Sequence, residues 1–169
     1  NKYTAARRLR SEDAFSPDGR HDMRPEMPTI VYTRILKQLY PDCPVVLGGI
    51  EASLRRLSHY DYWKQQLRPS ILEESGADLL IYGMGELPTI ELVQLLESRL
   101  GHHCDECCVT TSDFHALLKK KPIRQTVSIF THEEIPGGIT PADILLASHE
   151  ECLHDKKAHA RNFRHIEEE

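Results

Sequence analysis

Two glycines end a short apolar run, and polar and charged side chains follow them closely. The run, residues 45–47, is typical of a buried strand, and Gly48 and Gly49 come directly after it. The polar side chains that follow are those of Glu51, Ser53, Arg55 and Arg56. Open α/β sheets bind ligands beyond the carboxyl ends of their strands, and glycine lets a ligand approach the backbone closely. We interpret this segment as a ligand site or domain interface in which arginines pair with a carboxylate or phosphate. A glycine turn with exposed ion pairs is the alternative.

A second glycine motif follows the next apolar run, residues 79–82. It contains Gly83, Gly85 and Glu86, and a helix is predicted to begin there and to offer unpaired backbone N–H groups. Glu86 argues against a phosphate at this helix, and Pro88 stands where a dinucleotide fingerprint requires glycine, so the sequence disfavours NAD binding. Glu86 either caps its own helix or contacts a ribose or substrate. The predicted cofactor-binding residues are therefore Gly48, Gly49, Glu51, Ser53, Arg55, Arg56, Gly83, Gly85 and Glu86.

Residues 59–63, His-Tyr-Asp-Tyr-Trp, form an aromatic cluster shortly after the arginine pair. Their rings could stack on an adenine or flavin-like ring or plug a neighbouring domain. Burial against the sheet is the alternative interpretation.

Residues 102–108 combine histidine and cysteine in a polar loop. His102, Cys104, Cys107 and Cys108 supply ligands that zinc prefers, and His115 could complete a site, although no second ligand pair stands at the usual zinc-finger distance. A cysteine-bearing loop without metal is the alternative. The chain has five cysteines, an odd number, which favours free thiols or metal over a disulfide framework. No residue is predicted to be catalytic.

The apolar pattern predicts elements that place these residues. Helices are predicted from Pro28 to a stop at Pro41, for residues 68–75, and from a first turn that contains Pro88 to a stop at Gly101. A helical turn is predicted for 114–119 and a surface helix for 148–166, while residues 125–130 alternate like a half-exposed edge strand. The predicted fold class is α/β, a partial flavodoxin-like (Rossmann-like) parallel sheet with flanking helices. Three parts are predicted, namely an irregular basic arm (1–27), the α/β domain (28–147) and a C-terminal helix leading to a next domain (148–169).

Composition narrows the class of protein. The chain has 169 residues, a formal charge of -5 and a pI near 6.1, which disfavours nucleic acid and anionic membranes as partners. No apolar run approaches the roughly 20 residues that span a bilayer, and no signal peptide is visible, so we expect a cytoplasmic protein. The first residue is asparagine, which suggests a segment of a longer polypeptide.

Three stretches resemble the N-terminal region of the YgiQ-like radical SAM proteins. They are SEDAFSPDGRHDMRPEMPTIVY (11–32), GGIEASLRRLSHYDYW (48–63) and ADLLIYGMGE (77–86). The resemblance implies a cobalamin-binding-like domain that precedes a radical SAM barrel. It also implies a 4Fe-4S cluster, held by a CxxxCxxC motif, and S-adenosylmethionine in the parent protein.

This segment departs from the family's cofactor motifs. Cys104 and Cys108 have the first spacing of the cluster motif, but Thr111 stands where the third thiol is required, so the cluster is expected downstream of residue 169. The DxHxxG cobalamin-ligand motif is absent too, which argues against cobalamin binding by this chain. Two strands of a complete flavodoxin-like sheet are expected upstream, so the 45–47 strand should have an open edge that self-associates or is covered by the arm.

The sequence therefore predicts an accessory domain of a radical SAM enzyme, with its strand-end crevice against the parent's own barrel or a cofactor and with catalysis elsewhere. Two alternatives stay open: a non-catalytic module that binds a nucleotide or a protein partner, and a small zinc-binding interaction domain.

Overall fold

A computed structural model of the protein describes residues 3, 4, 6–100, 109–135 and 137–168. The helices of these residues are α1 (Pro28–Leu39), α2 (Gly49–Leu54), α3 (Ile71–Ser75), α4 (Glu86–Leu100), α5 (Thr111–Lys120), α6 (His149–His154) and α7 (Lys156–Glu168). Their strands are β1 (Val46–Leu47), β2 (His59–Asp61), β3 (Gln66–Arg68), β4 (Leu79–Ile81) and β5 (Thr126–Val127). None of the described helices is both long enough and apolar enough to cross a membrane.

The main sheet is built around β4. Its strand order is β1-β4-β5, with β1 parallel and β5 antiparallel to β4, while β2 and β3 form a separate antiparallel hairpin. The predicted α/β class with flanking helices is confirmed, and the sheet is mixed because β5, the predicted edge strand, runs antiparallel.

Strand β4 separates two apolar cores because its side chains alternate between the two faces of the sheet. Leu80 packs with residues of α1, α2 and α3, whereas Leu79 and Ile81 pack with residues of α4 and α5. All three side chains are buried, and each fully buried leucine stabilises the fold by about 1.5–3 kcal/mol. The continuous apolar sequence of this strand is explained by burial on both faces.

Helix α1 begins at Pro28, as predicted, because proline fits the first helical turn. It packs against the core through Ile30 and the buried Thr33. Other apolar side chains of this helix are exposed, namely those of Val31, Tyr32, Ile35, Leu36 and Leu39. The predicted apolar stripe is therefore only partly covered by the described residues.

The stretch before β4 differs from its prediction. The helix predicted for 68–75 begins only at Ile71, with Ser70 as its cap, because Arg68 pairs with His59 in the hairpin. Pro69 therefore precedes the helix. The interpretation that the aromatic side chains of residues 59–63 are buried against the sheet is wrong for Tyr60, Tyr62 and Trp63, which are exposed on the hairpin. His59 is half-buried and Asp61 is buried there.

The C-terminal half contains more helix than predicted. The turn predicted at 114–119 is the full helix α5, capped by the hydroxyl of Thr110, which accepts from the backbone N–H of Asp113. The helix predicted for 148–166 is divided into α6 and α7 at Asp155, whose backbone is extended. Cys152 and Asn162 are buried between these helices. Helices α6 and α7 therefore pack against each other and do not form a single surface helix.

Candidate functional site

The two glycine motifs meet at one edge of the main sheet. Strands β1 and β4 run parallel, with Leu47 opposite Leu80, so their carboxyl ends lie side by side. The hydroxyl of Ser53 donates to the backbone carbonyl of Gly49 at 2.9 Å and accepts from the backbone N–H of Gly83 at 3.1 Å. We call this place the strand-end notch, formed by Gly48, Gly49, Ser53, Gly83 and Gly85.

Two glycines of the notch are required by their backbone conformations. Gly49 has a φ of +86° and Gly83 a φ of +69°, a region that residues with a Cβ rarely adopt. A Cβ on Gly83 would also lie 3.3 Å from the side-chain amide nitrogen of Gln125. The glycines therefore have a structural reason to be present, whether or not a ligand approaches them.

Apolar side chains of α2, of the turn after β4 and of the start of α4 are strongly exposed. We call this set the notch surface: Ile50, Leu54, Met84, Leu87 and Ile90, which are 52–80% exposed. Glu86 begins α4 among them and is also exposed. Exposed apolar side chains gathered at one place are typical of an interaction surface rather than of a free monomer surface.

The predicted charged residues lie within α2 or directly after it and reach different places. Glu51 accepts from the hydroxyl of Thr29 at 2.6 Å and pairs with Arg55 at 3.1 Å, on the side that faces the arm. Arg56 instead donates to the carbonyl of Ser53 at 2.7 Å and lies 4.8 Å from the ring centre of Tyr82, a cation–π contact. The sequence predicts that Glu51, Arg55 and Arg56 lie together at one crevice. In the structure only Ser53, of the polar residues predicted there, contacts the glycines.

A cavity of about 810 Å³ lies between the arm, α2 and the β2–β3 hairpin. We call it the arm cavity; its charged and aromatic lining residues are Tyr3, Arg10, Arg24, Glu26, Glu51, Arg55, Asp61, Trp63 and Lys64. Trp63 stands 5.5 Å from the ring of Tyr3 and 5.8 Å from that of Tyr62, centre to centre. The sequence identified the aromatic cluster but not the arm as its partner.

The arm is held by its own ion pair. Arg24 donates to both carboxylate oxygens of Asp13, at 2.6 and 2.8 Å, and Asp13 is buried. The hydrogen bond from Arg24 lowers the pKa of Asp13 from 3.8 to about 2, and it outweighs the opposing effect of burial. Arg7 donates to the carbonyl of Tyr62 at 2.6 Å, which ties the arm to the hairpin.

Asp61 closes the hairpin beside the cavity. Its carboxylate accepts from the backbone N–H groups of Trp63 and Lys64 and lies 3.5 Å from Arg68. Burial acts to raise the pKa of Asp61, but these hydrogen bonds outweigh burial and lower it. The aspartate two residues before Trp63 is the signal for such a turn that the sequence offered.

A buried network at the other end of β4 had no sequence signal. Asp78 accepts from the backbone N–H of Val45 at 2.7 Å, pairs with Lys37 at 3.0 Å and lies 3.3 Å from His115. These contacts join α1, α5 and both parallel strands.

The predicted zinc ligands His102, Cys104, Cys107 and Cys108 lie outside the described residues, so that hypothesis stays a prediction. Within the described part of the chain, no group of three or more His, Cys, Asp or Glu residues could hold a metal ion. Cys43, which is exposed, and Cys152, which is buried, are the free cysteines there, and they do not form the three-thiol set that an iron–sulfur cluster of this type requires.

Comparison with known proteins decides the family. The family model described as "Radical SAM N-terminal" matches residues 1–169. The chain belongs to this family. This radical SAM N-terminal chain is 57% identical to a UPF0313 protein of Bacteroides thetaiotaomicron over 171 residues, covering 100% of the chain and 26% of that protein. The resemblance stated from the sequence is thus confirmed.

Two further relatives extend the comparison. A UPF0313 protein of Porphyromonas gingivalis is 57% identical over 99% of the chain and 24% of its own length, and one of Geobacter sulfurreducens is 42% identical over 99% and 25%. This radical SAM N-terminal chain therefore spans about a quarter of the length of these relatives. No solved structure matches it.

Proposed function

We propose that this chain is a non-catalytic accessory domain of a radical SAM enzyme, and that its notch surface packs against the catalytic part of the longer protein. The family supplies the class of protein. The relatives, about four times longer, provide the remaining polypeptide that such a surface would contact. In this proposal a radical SAM barrel outside the segment holds the 4Fe-4S cluster and S-adenosylmethionine, and the parent's substrate is not specified by these residues.

The exposed notch surface is the observation that carries the proposal. Met84 and Leu87 are 73% and 70% exposed, although they follow the carboxyl end of β4, where α/β sheets receive partners and ligands. Burying one such side chain in an interface gains about 1.5–3 kcal/mol before the costs of association. A surface of this kind is more stable when another domain covers it.

The polar groups beside the notch support a positioning role. Ser53 uses its hydroxyl to connect Gly49 with Gly83, and Glu51 is engaged by Thr29 and Arg55. These contacts shape the loops after β1 and β4. A sheet edge with a fixed loop geometry and an exposed apolar surface is suited to docking against another domain.

Hydrogen exchange in the longer protein and in the 169-residue chain tests the docking. We expect backbone amides of residues 83–90 to exchange at least tenfold more slowly in the longer protein, because the interface covers them. Leu87→Asp should remove that protection, whereas the matched change Leu153→Asp, at an exposed leucine of α6, should leave it intact. Equal exchange in the two proteins would contradict the docking.

A separate experiment tests the class of enzyme. The longer protein is reconstituted with iron and sulfide without oxygen and is incubated with S-adenosylmethionine and a reductant. We expect cluster absorption and release of 5′-deoxyadenosine. Absence of both would remove the assignment to an enzyme, whatever the exchange data show.

The zinc-binding alternative depends on residues 102–108 alone. Elemental analysis of the purified chain decides it, because a structural zinc site binds one metal ion per chain. Stoichiometric zinc that is lost in Cys104→Ser would support this alternative, and zinc below a tenth of an equivalent would end it.

A further inference from the structure

We propose that the arm cavity is a binding site for a mononucleotide, with its base on Trp63 and its phosphate near Lys64 and Arg10. Met84, Leu87 and Ile90 of the notch surface do not line the cavity, whereas Ile50 and Leu54 belong to both, so the docking test uses Leu87 and the binding test uses other residues. The inference goes beyond the accessory role. It stands even if the docking proposal fails.

The cavity has the size and construction of a small-molecule site. Its volume of about 810 Å³ lies within the range of roughly 300–1,000 Å³ that is typical of ligand pockets. Three separate segments enclose it. The arm contributes Tyr3 and Arg10, α2 contributes Ile50 and Leu54, and the β2–β3 hairpin contributes Trp63. Apolar side chains and a few convergent polar groups share the lining, as is usual in such pockets.

Trp63 offers a stacking surface. It lines the cavity and is 42% exposed, although the rings of Tyr3 and Tyr62 both contact it. An indole that keeps this much exposed area gains from a planar ring, and base–aromatic stacking contributes about 1–3 kcal/mol per base. The hairpin holds Trp63 firmly, because Asp61 accepts from its backbone N–H at 2.9 Å.

The charges of the lining favour an anionic group. Its acidic members already have partners: Glu51 has Thr29 and Arg55, Asp61 has Arg68, and Glu26 accepts from the hydroxyl of Tyr3. Arg24 is neutralised by Asp13. In the part of the chain that the structure describes, no salt bridge involves Lys64 or Arg10.

A phosphate is the group that these two cations fit. A guanidinium presents paired donors to phosphate oxygens, and an ammonium adds a compact positive charge. The ribose would lie between the phosphate and the stacked base, where the carboxylates of Glu26 and Glu51 can accept hydrogen bonds from its hydroxyl groups. Ring, hydroxyls and anion together define the mononucleotide class.

Titration with AMP tests this site. Trp63 is the single tryptophan of the 169-residue chain, so a base that stacks on it changes the intrinsic fluorescence directly. We expect saturable quenching by AMP and one site per chain by calorimetry. Adenosine, which lacks the anion, and ribose 5-phosphate, which lacks the base, should each bind at least tenfold more weakly.

Matched variants locate the site. Calorimetry should show at least tenfold weaker AMP binding for Trp63→Leu and for Lys64→Gln, while Tyr60→Leu and Lys121→Gln, at exposed positions outside the cavity lining, should bind like the parent chain. Thermal unfolding of each variant verifies that it is folded.

Three results would overturn the proposal: no AMP binding, equal affinity for AMP and adenosine, or unchanged binding by folded Lys64→Gln. None of them bears on the docking proposal, which is tested by exchange at residues 83–90. Conversely, if Leu87→Asp loses its protection from hydrogen exchange but still binds AMP, the result supports a binding site that is independent of docking.

Discussion

The side-chain hydroxyl of Ser53 accepts a hydrogen bond from the backbone N–H of Gly83 at 3.1 Å. This bond joins α2, which follows β1, to the turn that follows β4, and the same hydroxyl donates to Gly49. Two loops that are 30 residues apart in the sequence are thereby fixed in one geometry. The notch surface on either side of them is held in place before any partner binds.

Replacing this hydroxyl should destabilise the notch. Ser53→Ala leaves the Gly83 N–H without its partner, and we expect the free energy of unfolding to fall by about 1 kcal/mol. Ser98→Ala, in which an exposed serine of α4 loses a bond to its own helix, should have a smaller effect. Denaturant unfolding measures both; equal losses would argue against a special role for Ser53.

Removing the buried carboxylate of Asp78 should lower the free energy of unfolding more than removing the hydroxyl of Ser53. Asp78→Asn leaves Lys37 without its counter-charge, and loss of one partner of a buried ion pair costs about 3 kcal/mol. Glu168→Gln removes a carboxylate that pairs with Arg164 at an exposed site, where about 0–1 kcal/mol is expected. Thermal and denaturant unfolding compare the two, and a loss below 1 kcal/mol in Asp78→Asn would contradict a central role for the network.

The open side of β1 should make the isolated chain self-associate. Among the described residues β1 pairs with β4 alone, and the two β-bridges of the arm are internal to it, so the arm does not pair with this edge. Val46 is 40% exposed there. Val46→Lys should weaken self-association at least tenfold, because a lysine on an edge strand opposes pairing.

Val93→Lys, a valine of α4 with similar exposure, is the control for that change. Sedimentation over a range of concentrations measures the association. A chain that stays monomeric at the highest concentration, or equal behaviour of the two variants, would refute pairing through β1.

Local signals explain what the sequence could predict. Pro28 marks the start of α1, and glycines mark the ends of β1 and β4, so these elements were recognised. The adjacency of Gly49 and Gly83 followed from the rule that parallel strands end at one edge.

The remaining features depend on distant contacts or on the exact residue at which a helix ends. Asp78 meets partners 33 and 41 residues away, which no local pattern indicates. The hairpin turn places Gln65, rather than a glycine, at a φ of +53°, so its usual signal is missing. Arg55 is the C-terminal cap of α2 and Arg56 lies beyond the end of the helix, so the two side chains reach different surroundings.

The arm should loosen when its ion pair is removed. Asp13→Asn replaces the carboxylate that holds Arg24, and we expect faster hydrogen exchange throughout residues 13–24. Asp18→Asn is a matched control, because this exposed residue has a φ of +57°, which asparagine tolerates. Unchanged exchange in Asp13→Asn would show that other contacts hold the arm.

Acid should have the same effect on the arm as Asp13→Asn. The folded pKa of Asp13, about 2, lies below its ordinary value of 3.8, so the folded state favours the carboxylate. The stabilisation is therefore complete above about pH 4 and is lost as the pH falls through 2. NMR titration of the Asp13 carboxyl carbon measures this pKa, and a midpoint near 3.8 would contradict the pairing.

His59 should make the fold less stable on mild acidification. Burial lowers the pKa of His59 below 6.5, and its Nδ1 donates to the carbonyl of Leu57 at 3.1 Å. Its Nε2 is buried without a hydrogen-bond partner among the described residues, so a proton added there would have no acceptor. The unfolded chain binds this proton more readily, and the stability due to neutral His59 is present above pH 6.5 and lost as the pH falls below it.

His59→Asn should therefore flatten the decline in the free energy of unfolding between pH 7.5 and 5.5, since asparagine does not titrate. His132→Asn, at an exposed histidine, should keep the decline of the parent chain. Denaturant unfolding at closely spaced pH values gives both curves. A parent chain whose stability rises as the pH falls through this window would reverse the sign and refute the assignment to a buried neutral imidazole.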